Sequence, residues 1–177
     1  MTGAPLNALL AVSMALFLGG CAGSRQSLAT VDYVDLERFM GDWYVIAHIP
    51  TFLEDEAYNA VESYALEDDG SIATTFTFRE GGFDGEKKRY EPRGFVVEGT
   101  GNAIWGMRFV WPIKADYRII YLDDGYDTTI IGREKRDYVW LMARTPQIDA
   151  SKYQRAVNRI EAAGYDLSGL RKVPQQW

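Results

Sequence analysis

The sequence predicts an all-β protein, an eight-stranded antiparallel up-and-down β-barrel with one C-terminal α-helix packed outside it. Three observations predict this class. Short runs rich in Val, Ile, Thr, Tyr, Phe and Trp recur along the chain, punctuated by turn signals such as Asp68-Asp69-Gly70 and Asp123-Asp124-Gly125. Only one segment carries helical periodicity, and it follows the strands rather than alternating with them. The chain has 177 residues, 47% of them hydrophobic and 14% aromatic, which suits a single globular core.

The first 20 residues contain no charged side chain, and the apolar run Leu6 to Leu18 is shorter than the ~20 residues a membrane-spanning helix needs. Residues 1–20 therefore read as a signal peptide. The run ends in Leu18-Gly19-Gly20-Cys21, which resembles a bacterial lipobox, so Cys21 is the expected lipidation site and new N-terminus. Ala22 rather than Asp follows it, and in that pattern this implies the outer membrane. Residues 21–30 are small and polar and suit a flexible tether. The folded domain is expected over residues 31–177.

Eight strands are expected at Asp42 to Ile49, Tyr58 to Leu66, Ser71 to Arg79, Lys87 to Val97, Ala103 to Trp111, Tyr117 to Leu122, Asp127 to Arg133 and Tyr138 to Arg144. The helix is expected at Ala150 to Ala163. Its apolar positions Ala150, Tyr153, Val157, Ile160 and Ala163 recur at three- and four-residue spacing, Asp149 precedes it, and Gly164 closes it. Short links between neighbouring strands favour a barrel over a sandwich.

Strand side chains alternate with period two, so Trp105, Met107, Phe109 and Trp111 share one face. Tyr117, Ile119 and Tyr121 share another, as do Tyr138, Trp140 and Met142. An eight-stranded barrel is wide enough for one small ligand, and periodicity alone leaves open whether these faces enclose a cavity or a filled core. Aromatic rings with polar tips suit an amphipathic ligand.

Gly41-Asp42-Trp43-Tyr44, preceded by Val34 to Met40 as a short helical plug, resembles the Gly-x-Trp-Tyr signature of lipocalins. Tyr117 to Asp123 and Arg136 to Pro146 are similar to the second and third regions of that family, in the same order. The likeness is greatest to the bacterial outer-membrane lipocalin lipoproteins, relatives of apolipoprotein D. It implies that Gly41, Trp43 and Arg144 are structural. Trp43 would close the barrel floor, with the Arg144 guanidinium over its indole and donating to carbonyls near Phe39 and Met40. Together with the shared strand faces, it leads to the expectation that Trp105, Phe109, Tyr117, Tyr121, Tyr138, Trp140 and Met142 line a ligand cavity.

A net charge of -6 argues against nucleic acid as a partner. One Cys and one His cannot form an intrachain disulfide or a multi-His metal site, and no cofactor is expected. No catalytic residue is assigned: His48 has no Gly-x-Ser-x-Gly elbow to serve, and Gly99-Thr100-Gly101-Asn102 reads as a hairpin turn. Glu54-Asp55-Glu56 reads as a solvated loop, and Lys87-Lys88-Arg89 as a protected strand edge. The expectation is an outer-membrane, lipid-anchored, periplasm-facing protein that binds, stores or transports a fatty acid or lysophospholipid. The competing readings are a barrel enzyme or isomerase acting on a hydrophobic substrate, and a structural envelope protein with a filled barrel.

Overall fold

The computed structural model describes residues 26–177 apart from Trp111, so the expected signal peptide and Cys21 lie outside the described residues. The elements follow in the order α1 (Leu36–Phe39), β1 (Gly41–Ile49), β2 (Ala57–Leu66), β3 (Ile72–Glu80), β4 (Lys87–Tyr90), β5 (Arg93–Val96), β6 (Ile104–Val110), β7 (Ile113–Leu122), β8 (Thr128–Gly132), β9 (Val139–Ala143), α2 (Ala150–Ala162) and β10 (Arg171–Lys172). Neighbouring strands pair antiparallel, and β9 returns to β1, with Tyr44 opposite Ala143 and Ile49 opposite Val139. The sheet thus closes into the eight-stranded barrel the sequence predicts, its fourth strand being shared by β4 and β5.

The single strand expected over Lys87 to Val97 is interrupted at Glu91-Pro92. Proline has no N–H to give a ladder, and here its carbonyl instead accepts from Thr74 N at 3.1 Å. As a result β3 carries two partners, β4 alongside Phe76 to Arg79 and β5 alongside Ile72 and Ala73. Among the described residues β4 pairs only with β3, while β5 continues the wall to β6. The two-residue strand β10, absent from the sequence reading, adds to β1 opposite Ala47 and His48.

Two apolar cores result. One fills the lower barrel, around Phe39, Trp43, Tyr64 and Trp105. The other lies between the outer wall and α2, where Ile46, Ile130 and Leu141 meet Ala156 and Ile160. Asp149 caps α2 by accepting from Lys152 N at 2.7 Å, and Gly164, at φ 89°, ends it in a conformation that favours glycine. Ala156 takes the central buried place, whereas Ala150 is exposed and Val157 only half-buried.

Of the tether expected over residues 21–30, the described part from Gln26 lies against the barrel. Leu28 is buried with its N–H donating to Glu134, and Val31 N donates to Ile119 O at 3.0 Å.

Candidate functional site

The closed end of the barrel is built by α1 and the first residues of β1. Asp35 caps α1, which turns Phe39 into the barrel so that its carbonyl accepts from Trp43 Nε1 at 2.9 Å. The Arg144 guanidinium carbon lies 3.8 Å from the centre of the Trp43 ring. Its nitrogens donate to the carbonyls of Asp42 at 2.9 Å, Arg38 at 2.8 Å, Phe39 at 3.1 Å, Met40 at 2.9 Å and Tyr126 at 3.2 Å. Gly41 has φ 94°, which favours a residue without Cβ.

The opposite end is open. A cavity of about 320 Å³ descends from it, bounded at the mouth by Phe52, Leu53, Phe109 and Tyr138 and deeper by Phe76, Met107, Tyr117 and Trp140. That volume falls at the lower end of the ~300–1,000 Å³ found for small-molecule sites. It suits one slender chain. The lining is mostly apolar, with four side chains that bring charge or an unpaired polar atom, Glu54, Glu62, Thr74 and Arg133; Asp116 also borders it, but its carboxylate accepts from Arg118 Nε and Glu134 N.

The placement of the expected lining residues follows the strand geometry. Phe109, Tyr117, Tyr138 and Trp140 face the cavity. Trp105 and Met142 point into the barrel but lie below it: Trp105 stacks on Tyr117 with ring centroids 5.0 Å apart, and both belong to the packed lower core. That core is packed by the rings of Phe39, Trp43 and Tyr64, which do not line the cavity. Tyr121 is on the outside. The β7–β8 register slips between Ile119 and Tyr121, so Ile119 faces inward while Tyr121 packs beside α2, under the Arg159 guanidinium at 4.2 Å. A bulge inserts one residue and so reverses the face of every later residue in its strand. Trp111, counted on the same face of its strand, lies outside the described residues.

Two acidic residues escaped the sequence reading. Glu54, expected in a solvated loop, is 3% exposed. It accepts from Trp140 Nε1 at 3.1 and 3.2 Å and from Thr51 N at 3.1 Å, while His48 Nδ1 lies 3.7 Å away without a hydrogen bond. His48 itself does not line the cavity. Glu62 projects inward from β2, accepting from the Tyr64 hydroxyl, which in turn lies 2.7 Å from the Tyr117 hydroxyl. Burial pushes the Glu62 carboxyl up to about 8, helped by the Glu54 carboxylate. Burial also raises the Tyr117 phenol well above its usual range, again with an acidic neighbour, Glu62. The signal for Glu62 was its parity with Ala60 and Tyr64, outweighed by how seldom a glutamate is buried.

Comparison with known proteins agrees with this architecture. A family model described as a lipocalin-like domain matches residues 34–175. The chain is 28% identical to temperature-induced lipocalin-1 of Arabidopsis thaliana, over 85% of this chain and 84% of that one. It is 24% identical to outer membrane lipoprotein Blc of Vibrio cholerae, over 97% of this chain and 100% of that one. Among solved structures, insecticyanin of the tobacco hornworm superposes with a TM-score of 0.64 at 16% identity, covering 81% of this chain and 82% of that one. Apocrustacyanin C2 gives 0.64 at 10% identity, covering 80% of each. At those identities the likeness concerns the fold.

Proposed function

This chain is a member of the lipocalin family, and on that premise we propose that it binds and carries a small amphipathic lipid, a fatty acid or lysophospholipid, in the open barrel. The observation that carries the reading is the apolar cavity inside a closed barrel, walled by Phe76, Met107, Phe109, Tyr138 and Trp140. Each methylene moved from water into such a space contributes about 0.8 kcal/mol, so a single alkyl chain can supply micromolar affinity without a covalent step. The cavity counts against the filled-barrel reading. Binding rather than catalysis is supported by the seclusion of the one histidine behind Glu54.

The relatives from Vibrio cholerae and Escherichia coli are named outer membrane lipoproteins. The lipobox-like Leu18 to Cys21 supports the same place for this chain, with residues 1–20 removed, Cys21 acylated and the domain facing the periplasm. Several acyl chains on one Cys hold firmly to a bilayer. Native mass spectrometry of protein purified free of membrane, followed by extraction of bound lipid, tests the binding role. A bound amphipathic lipid is the expected result; no co-purifying lipid and no spectral or calorimetric response to lipids of several chain lengths would reject it.

A further inference from the structure

The lipid-binding reading says what fills the apolar wall and leaves the deep end of the cavity unexplained. There Glu62 presents a carboxyl group inside the barrel, one oxygen accepting from Tyr64 and the accessible remainder opening into the cavity it lines. Close by on β3, Thr74 is 3% exposed and its Oγ1 has no hydrogen-bond partner, although it lines the same space. The Tyr117 hydroxyl is engaged with Tyr64 at 2.7 Å. A buried polar atom without a partner costs about 1–3 kcal/mol. A half-buried carboxyl and a buried, unpartnered hydroxyl on one cavity wall leave polar atoms for a ligand to meet.

Resting on the lipid-binding reading, we infer that the floor formed by Glu62 and Thr74 recognises a hydrogen-bond-donating group, a hydroxyl or an ammonium, on the buried end of an alkyl chain, and turns away a carboxylate there. A donor meets the free carboxyl oxygen of Glu62 and the Thr74 hydroxyl together. A fatty acid entering head-first strips its carboxylate of water at an end of the cavity where the lining side chains Glu62, Thr74 and Tyr117 offer no cation to meet it. Entering tail-first, it leaves both floor atoms unmet. The cation of the lining, Arg133, belongs to the β8–β9 connection at the mouth, where its Nε is buried and unpartnered. Among the described lining residues the cation thus stands at the mouth, at the same end as the β1–β2 loop that carries Glu54, and none stands at the floor.

The titratable and charged groups sharing this space are Glu54 from the β1–β2 loop, Glu62 and Tyr64 from β2, Tyr90 from β4, Asp116 and Tyr117 from β7, and Arg133 and Tyr138 at the mouth. Because burial holds the Glu62 carboxyl up to about 8, the empty floor carries a proton at neutral pH. An alcohol binds without disturbing it. An alkylammonium favours the ionised form, so its uptake releases that proton to solvent.

The test uses delipidated full-length protein and three probes of equal chain length, dodecan-1-ol, dodecylamine and dodecanoate, followed by tryptophan fluorescence and by calorimetry in buffers of different ionisation heat. The alcohol and the amine are expected to bind about tenfold or more tighter than dodecanoate at pH 7, the amine with proton release. Glu62→Gln, which keeps the shape, should remove the proton release and the advantage of the amine over dodecanoate. Thr74→Val provides the second variant and should weaken the alcohol while sparing the fold. If dodecanoate binds as tightly as the others and neither variant alters the order, the floor assignment is overturned and the lipid-binding reading stands. If none of the three binds, both fall.

Discussion

Arg144 stacks its guanidinium 3.8 Å over the Trp43 indole while donating to main-chain carbonyls at the end of α1 and the start of β1, tying the last barrel strand to the first. A lysine offers a point charge in place of this rigid fork. Arg144→Lys is expected to cost about 2–4 kcal/mol in urea unfolding, from several hydrogen bonds of about 0.5–1.5 kcal/mol each. Trp43→Ala removes a fully buried ring and is expected to cost about 3–5 kcal/mol. In a double-mutant cycle the pair should couple by about 0.5–2 kcal/mol, and simple additivity would dismiss the stacking as a contribution.

Trp140 has two duties, walling the cavity and satisfying buried Glu54. Trp140→Phe keeps the ring and leaves Glu54 with only the Thr51 N–H, so stability should drop by about 1–3 kcal/mol with modest change in lipid affinity. Trp140→Ala should lose both. Denaturation and lipid titration on the same two variants separate the duties.

Tyr121 supports α2 from outside the barrel. Tyr121→Ala is expected to lower the melting temperature, by the equivalent of about 1–3 kcal/mol, and to leave lipid affinity at the wild-type value. A selective loss of affinity would return this residue to the cavity wall.

The Glu62 carboxyl titrates near 4.5 in an exposed chain and is raised to about 8 in the fold. Between those values the folded state holds a proton that the unfolded state has lost, so unfolding free energy falls as pH rises. The stabilisation is complete below about pH 4.5 and gone above about pH 8. Its slope is about 1.4 kcal/mol per pH unit at most. Glu62→Gln should remove this segment of the pH–stability curve and exceed the wild type in stability at pH 9; parallel curves for the two proteins would reject the buried protonated carboxyl.

For the anchor, Cys21→Ser should leave the protein unprocessed or soluble with an unchanged melting curve. Membrane fractionation and the mass of the N-terminal peptide check it, and full membrane retention without acyl mass would remove the lipoprotein assignment.

The barrel and its closing helix were legible because alternation and turn chemistry are local. Through β9 and the residue before it the count holds without interruption, and Tyr138, Trp140 and Met142 all face inward. On β7 it fails at Tyr121, because nothing in Tyr-Arg-Ile-Ile-Tyr marks which residue the ladder will skip. Depth is equally hidden from a period-two pattern. Phe109, 53% exposed at the rim, and Trp105, fully buried beneath the floor, share one face of β6. Glu54 was missed because it depends on Trp140, which meets it in space but carries no sequence mark of pairing, and Glu62 because its parity with Tyr64 was outweighed by how seldom a glutamate faces an interior. The break of the fourth strand was the exception, announced by Pro92.

The division of that strand gives the barrel an uneven elasticity. Where β4 ends its pairing with β3 and β5 takes over, the upper part of β6 has no ladder to β4 among the described residues, and Tyr90, Pro92 and Phe109 border this seam. Spreading there ruptures no interstrand hydrogen bond, whereas spreading between β8 and β9 would rupture a continuous five-residue register. The wall therefore yields on one side, as a slit garment does. Amide exchange should be fastest along β4 and the end of β6 and slowest along β8, β9 and β1, and a ligand broader than the resting cavity will be admitted by sideways breathing at the slit.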